Sequence, residues 1–172
     1  LYPAMPYPSF AKLTDEDVRK LYGYFMLQVK PVRQTNRQPE IGFPFNQRWG
    51  LALWNGLFLP DEPYELKADK DEVWNRGAYL VNGPGHCAEC HSPRNILGGI
   101  KSGQRFAGAP NPEGKGWVPN ITQKGGLAEW SAKDIAYFLE TGQTPDGDTA
   151  GGSMARVIRN TSQLPPEDRA AI

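Results

Sequence analysis

The sequence predicts an all-α, loop-rich protein, in which a few short helices are tied together by long irregular segments. Three observations lead there. Apolar residues recur at helical spacing in separate windows. Core-forming strands are scarce along the chain. The 19 glycines and 16 prolines among 172 residues make up roughly a fifth of the chain, against a usual share of about 12%.

The first element is an amphipathic helix over residues 14–29, where Val18, Leu21, Tyr22, Phe25, Met26 and Val29 share one face. Thr14 is its expected cap, Asp15, Glu16 and Asp17 favour the positive end of the helix dipole, and Pro31 closes it. On this pattern Met26 is a core residue. Residues 31–70 lose the period but carry Phe43, Phe45, Trp49, Trp54, Phe58 and Tyr64 among prolines. A freely solvated linker would be polar, so this stretch is expected to lie as a strap or short helix against a protein surface. Membrane-surface contact is the competing reading. A second helix is expected over residues 71–82, burying Val73, Trp74, Gly77, Leu80 and Val81 and stopped by Gly83-Pro84. Residues 92–129 read as loops wrapped around something large. A third helix runs from about Ala132 to Glu140, opened by Ser131 and Asp134, carrying Ile135, Phe138 and Leu139, and ended by Gly142. Trp130 before it reads as packing. Leu164-Pro165-Pro166-Glu167-Asp168 opens a fourth helix that is cut short at Ile172.

One pattern occurs twice. Met5 is followed by Leu13 and an acidic helix start, and Met154 by Leu164 and another. This repetition suggests two related units, the first represented only by its tail.

Composition narrows the function. With 19 basic and 19 acidic residues, the chain has no broad field for phosphate backbones, so nucleic acid is not an expected partner. The richest apolar run, from Trp49 to Leu59, falls short of a bilayer span. Any signal peptide is expected to have been removed or to lie upstream of Leu1. The two cysteines sit together in Cys87-Ala88-Glu89-Cys90-His91, so a disulfide scaffold is excluded.

Cys-X-X-Cys-His is the attachment sequence of c-type haem. Two thiols at that spacing can form thioethers to both vinyl groups of one porphyrin, while the adjacent histidine is delivered to the iron. Cys87 and Cys90 are the expected anchors and His91 the ligand. A structural zinc site would want four ligands, and beyond the motif only His86 remains. A thioredoxin-like dithiol would follow a strand and open a helix, and neither signal is present. Two inert buried thiols would leave the loop-rich stretch downstream unexplained. A six-coordinate electron carrier needs a second axial ligand. Met26 belongs to a helix face and Met5 to the preceding unit, which favours Met154, read as lying in a flexible loop that crosses the far haem face. His86 is the alternative, although it is tethered beside Cys87. Arg94, Arg105, Trp117 and Asn120 are candidates to hold the propionates.

Arg76-Gly-Ala-Tyr-Leu-Val, Gly85-His-Cys-Ala-Glu-Cys-His-Ser-Pro-Arg-Asn, Trp117-Val-Pro-Asn-Ile-Thr and the Met154 segment resemble the multihaem cytochrome c subunits of bacterial membrane-associated dehydrogenases, which serve alcohol, aldehyde, gluconate and isoquinoline-type oxidoreductases. The opening Leu1-Tyr-Pro-Ala-Met-Pro-Tyr-Pro and the Phe43 strap resemble the end of a first haem domain and its connector. The resemblance implies a class I cytochrome c fold over residues 71–172 with a truncated last helix that would pack near Gly77. It implies a 31–70 connector, and a 1–30 remnant whose Met5 ligates an earlier haem. It implies one covalent haem c in this chain, with His91 and Met154 on its iron. The implied partners are a dehydrogenase catalytic subunit, other haem domains, and a quinone or oxidase as acceptor. The implied location is the periplasm at the inner-membrane surface, with peripheral association possible. No catalytic residue is expected. A haem enzyme of the dihaem peroxidase type, with an open distal site, is the alternative.

Overall fold

Helix positions follow the caps that the sequence supplies. The computed structural model describes residues 6–38, 40–44, 46–59, 63–112 and 114–172. Met5 and Phe45 lie outside them. A single turn, α1 (Tyr7–Phe10), leads into α2 (Asp15–Leu27), whose cap Thr14 accepts the Asp17 amide at 3.2 Å. In the proline-rich middle stands α3 (Gly50–Phe58). Asp71 caps α4 (Glu72–Asn82), accepting the Trp74 amide at 2.7 Å. After the single turn α5 (Ala88–His91), β1 (Ala109–Pro110) pairs antiparallel with β2 (Trp117–Val118). Ser131 and Asp134 form a complete capping box on α6 (Ala132–Thr141), which ends on left-handed Gly142 at φ 79°. Then come α7 (Gly152–Thr161) and α8 (Pro166–Ala171). Among the described residues the chain is helix-rich, and the one small sheet has two strands.

The principal helix packings among the described residues are α4 on α8, α6 on α8 and α6 on α7. The closest is at Gly77, where a Cβ would lie 1.7 Å from the Ala171 carbonyl oxygen. The backbones meet there, at the glycine where a small residue was expected to admit the last helix. Beside the crossing, Arg76 donates twice to Asp168, Nε to Oδ1 and a terminal nitrogen to Oδ2, each at 2.7 Å. Arg169 donates to the Ser162 and Leu164 carbonyls and pairs with Glu140 at 3.1 Å, tying α8 to α6. Thr161 of α7 donates to the Leu139 carbonyl at 2.5 Å.

The Arg76 guanidinium holds the Asp168 carboxyl below the usual carboxylate range. A depressed carboxyl contributes stability that is complete above its unfolded value, about pH 3.9, and is lost as the pH falls through the folded value. Arg76→Ala therefore removes about 1–2 kcal/mol at neutral pH, discounted because the Arg76 side chain is half exposed. It also flattens the acid limb of a stability-against-pH curve measured by urea denaturation.

Three expectations need correction. On α2, the apolar residues Val18, Leu21, Tyr22, Phe25, Met26 and Val29 are exposed, Met26 at 62%. That helix is held at its first turn, where Tyr79 donates to Asp17 at 2.5 Å and accepts from the Thr14 amide at 3.3 Å. It takes no part in the principal packings named above. On α4, Val73 and Trp74 are exposed, and the buried side is Asn75, Gly77, Tyr79 and Leu80. The rotation follows from Asn75, whose amide donates to the carbonyls of Lys67, Lys70 and Asp71 and whose oxygen accepts the Lys67 amide. Trp74 is left outside beneath the Lys67 and Lys70 ammonium groups. Third, Met154 lies in the first turn of α7, not in a flexible loop. Its helix begins at Gly151-Gly152-Ser153 without a side-chain cap, so the sequence carries no start signal there.

In the middle segment α3 turns Trp54 and Phe58 inward. Trp54 donates to the Leu97 carbonyl at 2.8 Å and meets the Tyr7 ring edge-on, and Phe58 lies over Gly99. Trp49, Leu53 and Leu57 on the other face are exposed. The buried apolar residues among those described are Tyr79, Leu80, Ala88, Ala109 and Ile158, a lean set for a chain of this length.

Candidate haem site

The haem-type pentapeptide is delivered by the end of α4. Its helix stops at Gly83, and the chain folds straight back, with the Gly85 amide on the Leu80 carbonyl at 2.8 Å and the Cys87 amide on the Val81 carbonyl at 3.2 Å. A Cβ at Gly85 would stand 2.6 Å from the Leu80 oxygen, so this return needs glycine. The next turn, α5, closes with the His91 amide on the Cys87 carbonyl at 3.0 Å. Cys87 is half-buried and Cys90 exposed, and neither forms a disulfide. Burial pushes the Cys87 thiol up.

The orientation of His91 is the most informative feature. Its Nδ1 lies 2.8 Å from the Pro119 carbonyl oxygen, an acceptor, so Nδ1 carries the proton and Nε2 keeps its lone pair. Burial lowers the imidazole pKa and the Pro119 bond partly offsets it, which leaves the ring neutral at neutral pH. A neutral imidazole with its second nitrogen anchored is the arrangement of a metal-ligating histidine. Loop bonds set this geometry. The Gly108 amide reaches the His91 carbonyl at 2.8 Å, the Phe106 amide reaches Ser92 Oγ at 3.0 Å, and the Ile121 amide reaches the Phe106 carbonyl at 3.0 Å. Pairing of β1 with β2 then brings the segment ending in Pro119 beside the pentapeptide.

The other predicted residues divide. Arg94 stands beside the motif and donates to Glu89 Oε2 at 2.6 Å and the Gly98 carbonyl at 2.8 Å. Arg105 also lies close, donating to Asn82 at 2.6 Å. Asn120 is next to Pro119, and its side-chain oxygen accepts from the Thr122 amide and hydroxyl, both at 2.8 Å. Trp117 lies on β2 and is mostly exposed. Met154 lies on α7, half-buried. His86, at φ 41°, packs its ring against Phe10. The sequence reading missed Pro119, since a carbonyl acceptor has no residue signature. It also missed Glu89 as the partner of Ser9, at 2.7 Å.

These residues fit a haem. Two thiols outside any disulfide stand on one helical turn, and an imidazole held through Nδ1 presents its other nitrogen. No cluster of His, Cys, Asp and Glu able to hold a bare metal ion occurs among the described residues. No described helix is long and apolar enough to cross a membrane.

Comparison with known proteins agrees with this chemistry. No family model matches the chain. It is 47% identical over 171 residues to a protein named "Diheme cytochrome c-type" of Cereibacter sphaeroides, covering 99% of this chain and 56% of that one. It is 40% identical over 171 residues to the cytochrome c subunit of a quinone alcohol dehydrogenase of Gluconobacter oxydans, covering 95% of this chain and 36% of that one. It is 40% identical over 183 residues to the gluconate 2-dehydrogenase cytochrome c subunit of Pantoea cypripedii, covering 100% of this chain and 41% of that one. The chain thus spans about half the length, or less, of the curated relatives it matches. Over nearly all of its own length it is homologous to cytochrome c subunits of dehydrogenases.

Proposed function

We propose, from that homology, that the chain is the electron-carrying part of a dehydrogenase cytochrome c subunit, with one haem c held by Cys87, Cys90 and His91. The observation that carries the reading is the His91 imidazole, fixed through Nδ1 to Pro119 with Nε2 open. When bound, the haem supplies a one-electron ferric–ferrous couple. Cys87 and Cys90 would bind it covalently, and the Pro119 carbonyl sets the imidazole's proton on Nδ1. Met154 would be the second protein ligand to the iron in this reading, and Arg94, Arg105, Trp117 and Asn120 would supply donors to the propionates.

Residues 71–172 then form a class I cytochrome c domain, residues 31–70 a connector, and residues 1–30 the end of a preceding haem domain. Two supports favour this division: the repeated Met, Leu and acidic helix start, and a dihaem relative longer than the matched region. The subunit would take electrons from a dehydrogenase catalytic partner and pass them between haems to a quinone or an oxidase. It would work in the periplasm at the inner-membrane surface. The peroxidase alternative finds no support among the relatives.

The test is Met154→Ala in the holoprotein. The expected result is a reduced form that binds carbon monoxide readily and a potential lower by a tenth of a volt or more, on the order of the range axial ligands control. An unchanged spectrum and potential would remove Met154 from the iron. A pyridine haemochrome assay that finds no haem would remove the function.

A further inference from the structure

Residues 6–17 meet the haem pentapeptide along a seam that haem attachment itself does not require. Ser9, only 4% exposed, donates its hydroxyl to Glu89 Oε1 at 2.7 Å, and Glu89 lies between the two cysteines. The Phe10 ring meets His86, the residue before Cys87, edge-on at 5.6 Å between centroids and 78° between planes. The Lys12 carbonyl accepts the Tyr64 amide at 3.0 Å, which ties the middle segment into the same joint. Leu13 reaches Gly83, where a Cβ would stand 3.9 Å from its side chain. The Thr14 amide and the Asp17 carboxylate both bond the buried Tyr79 hydroxyl.

Every contact in this set joins a residue before position 18 to the pentapeptide, the turn that delivers it, α4 or the middle segment. The bonds are directional and partly buried, and buried polar networks with every partner present fix one geometry. No side-chain polar atom among the described residues is buried without a partner. Beyond Asp17 the character changes and α2 exposes its apolar side. The seam is therefore far more tightly specified than the helix it leads into.

We propose that this seam is a positioning device, which holds the unit that ends in residues 1–30 at a fixed separation and orientation from the haem carried on Cys87 and Cys90, and so sets the rate at which electrons pass between the two haems. The inference rests on the reading that residues 1–30 are the end of a preceding haem-bearing unit. Ser9 and Phe10 are positioning residues in it, acting through Glu89 and His86. Electron tunnelling falls exponentially with separation and weakens across loosely packed gaps, so a joint that loosens without unfolding slows transfer while leaving each haem's own chemistry intact.

The experiment uses the full-length protein with its native upstream sequence and its haems in place. One haem is photoreduced, the equilibration with the other is followed optically, and the spectrum and potential of each are recorded. In the Ser9→Ala, Phe10→Ala double variant, transfer is expected to be several-fold slower, with both spectra and potentials unchanged. Ser9→Thr, which keeps the hydroxyl donor, keeps the wild-type rate. Should the double variant fail to assemble, Ser9→Ala alone carries the same comparison. An unchanged rate with two intact haems overturns the inference and leaves the electron-transfer reading standing. A shifted potential of the haem on Cys87 and Cys90 also overturns it, because the residues would then be shaping that haem's surroundings. A haem count of one in the full-length wild-type protein overturns the reading and the inference with it.

Discussion

Cys87→Ser combined with Cys90→Ser is expected to abolish covalent pigment. On a denaturing gel the wild-type band stains for haem and the variant band does not, and acid acetone extracts from the variant whatever haem it retains. Both thiols stand on one helical turn outside any disulfide, so each can reach one side of a single porphyrin. Either single variant keeps one thioether and remains stained. Each single variant loses one thioether, and Cys87→Ser costs about 1–2 kcal/mol more than Cys90→Ser, because Cys87 is half-buried and the hydroxyl enters a partly desolvated position, whereas Cys90 is exposed. A double variant that still carries covalent haem would refute the attachment site.

The second large effect is at Gly77. A methyl group there would overlap the Ala171 carbonyl, with only 1.7 Å between their centres, and the obstacle is backbone that cannot swing aside. Gly77→Ala is expected to cost about 3 kcal/mol, the upper end of the usual overpacking range, because α8 must back away and strain the Arg76–Asp168 bonds as it goes. Urea denaturation of the holoprotein reads this directly. Gly23→Ala is the control. Gly23 lies inside α2 with nothing within 4 Å of a Cβ, and the substitution should stabilise by up to about 1 kcal/mol through helix propensity alone. Equal effects at the two positions would mean that the crossing is not as close as described.

Local chemistry was legible wherever a residue type has one strong physical use. Thr14, Asp71, Ser131 and Gly142 mark helix ends because their side chains or backbone freedom satisfy terminal groups. Of these, Thr14, Ser131 and Gly142 were readable as such in advance. The pentapeptide was legible because two thiols and an imidazole at that spacing have few other uses. Periodicity misled on α2 and α4. It reports which residues share a face, but what covers that face depends on tertiary partners. On α4 the decision fell to Asn75, a polar residue whose four bonds to residues 67–71 turned it inward at the expense of Trp74. Pro119 was illegible because it acts through a carbonyl oxygen that any residue could present. The α7 helix went unseen because it opens on glycines and has no capping side chain.

The Arg76–Asp168 contact joins residues 92 positions apart, so it closes a loop that contains the pentapeptide and both strands of the small sheet. Closing so long a loop costs entropy, which the clasp and the α4–α8 packing offset together. The cysteines at 87 and 90 sit near the start of that loop. The pentapeptide therefore lies inside a loop whose two ends one clasp holds together, and a change that opens the clasp frees both ends of the loop that carries it.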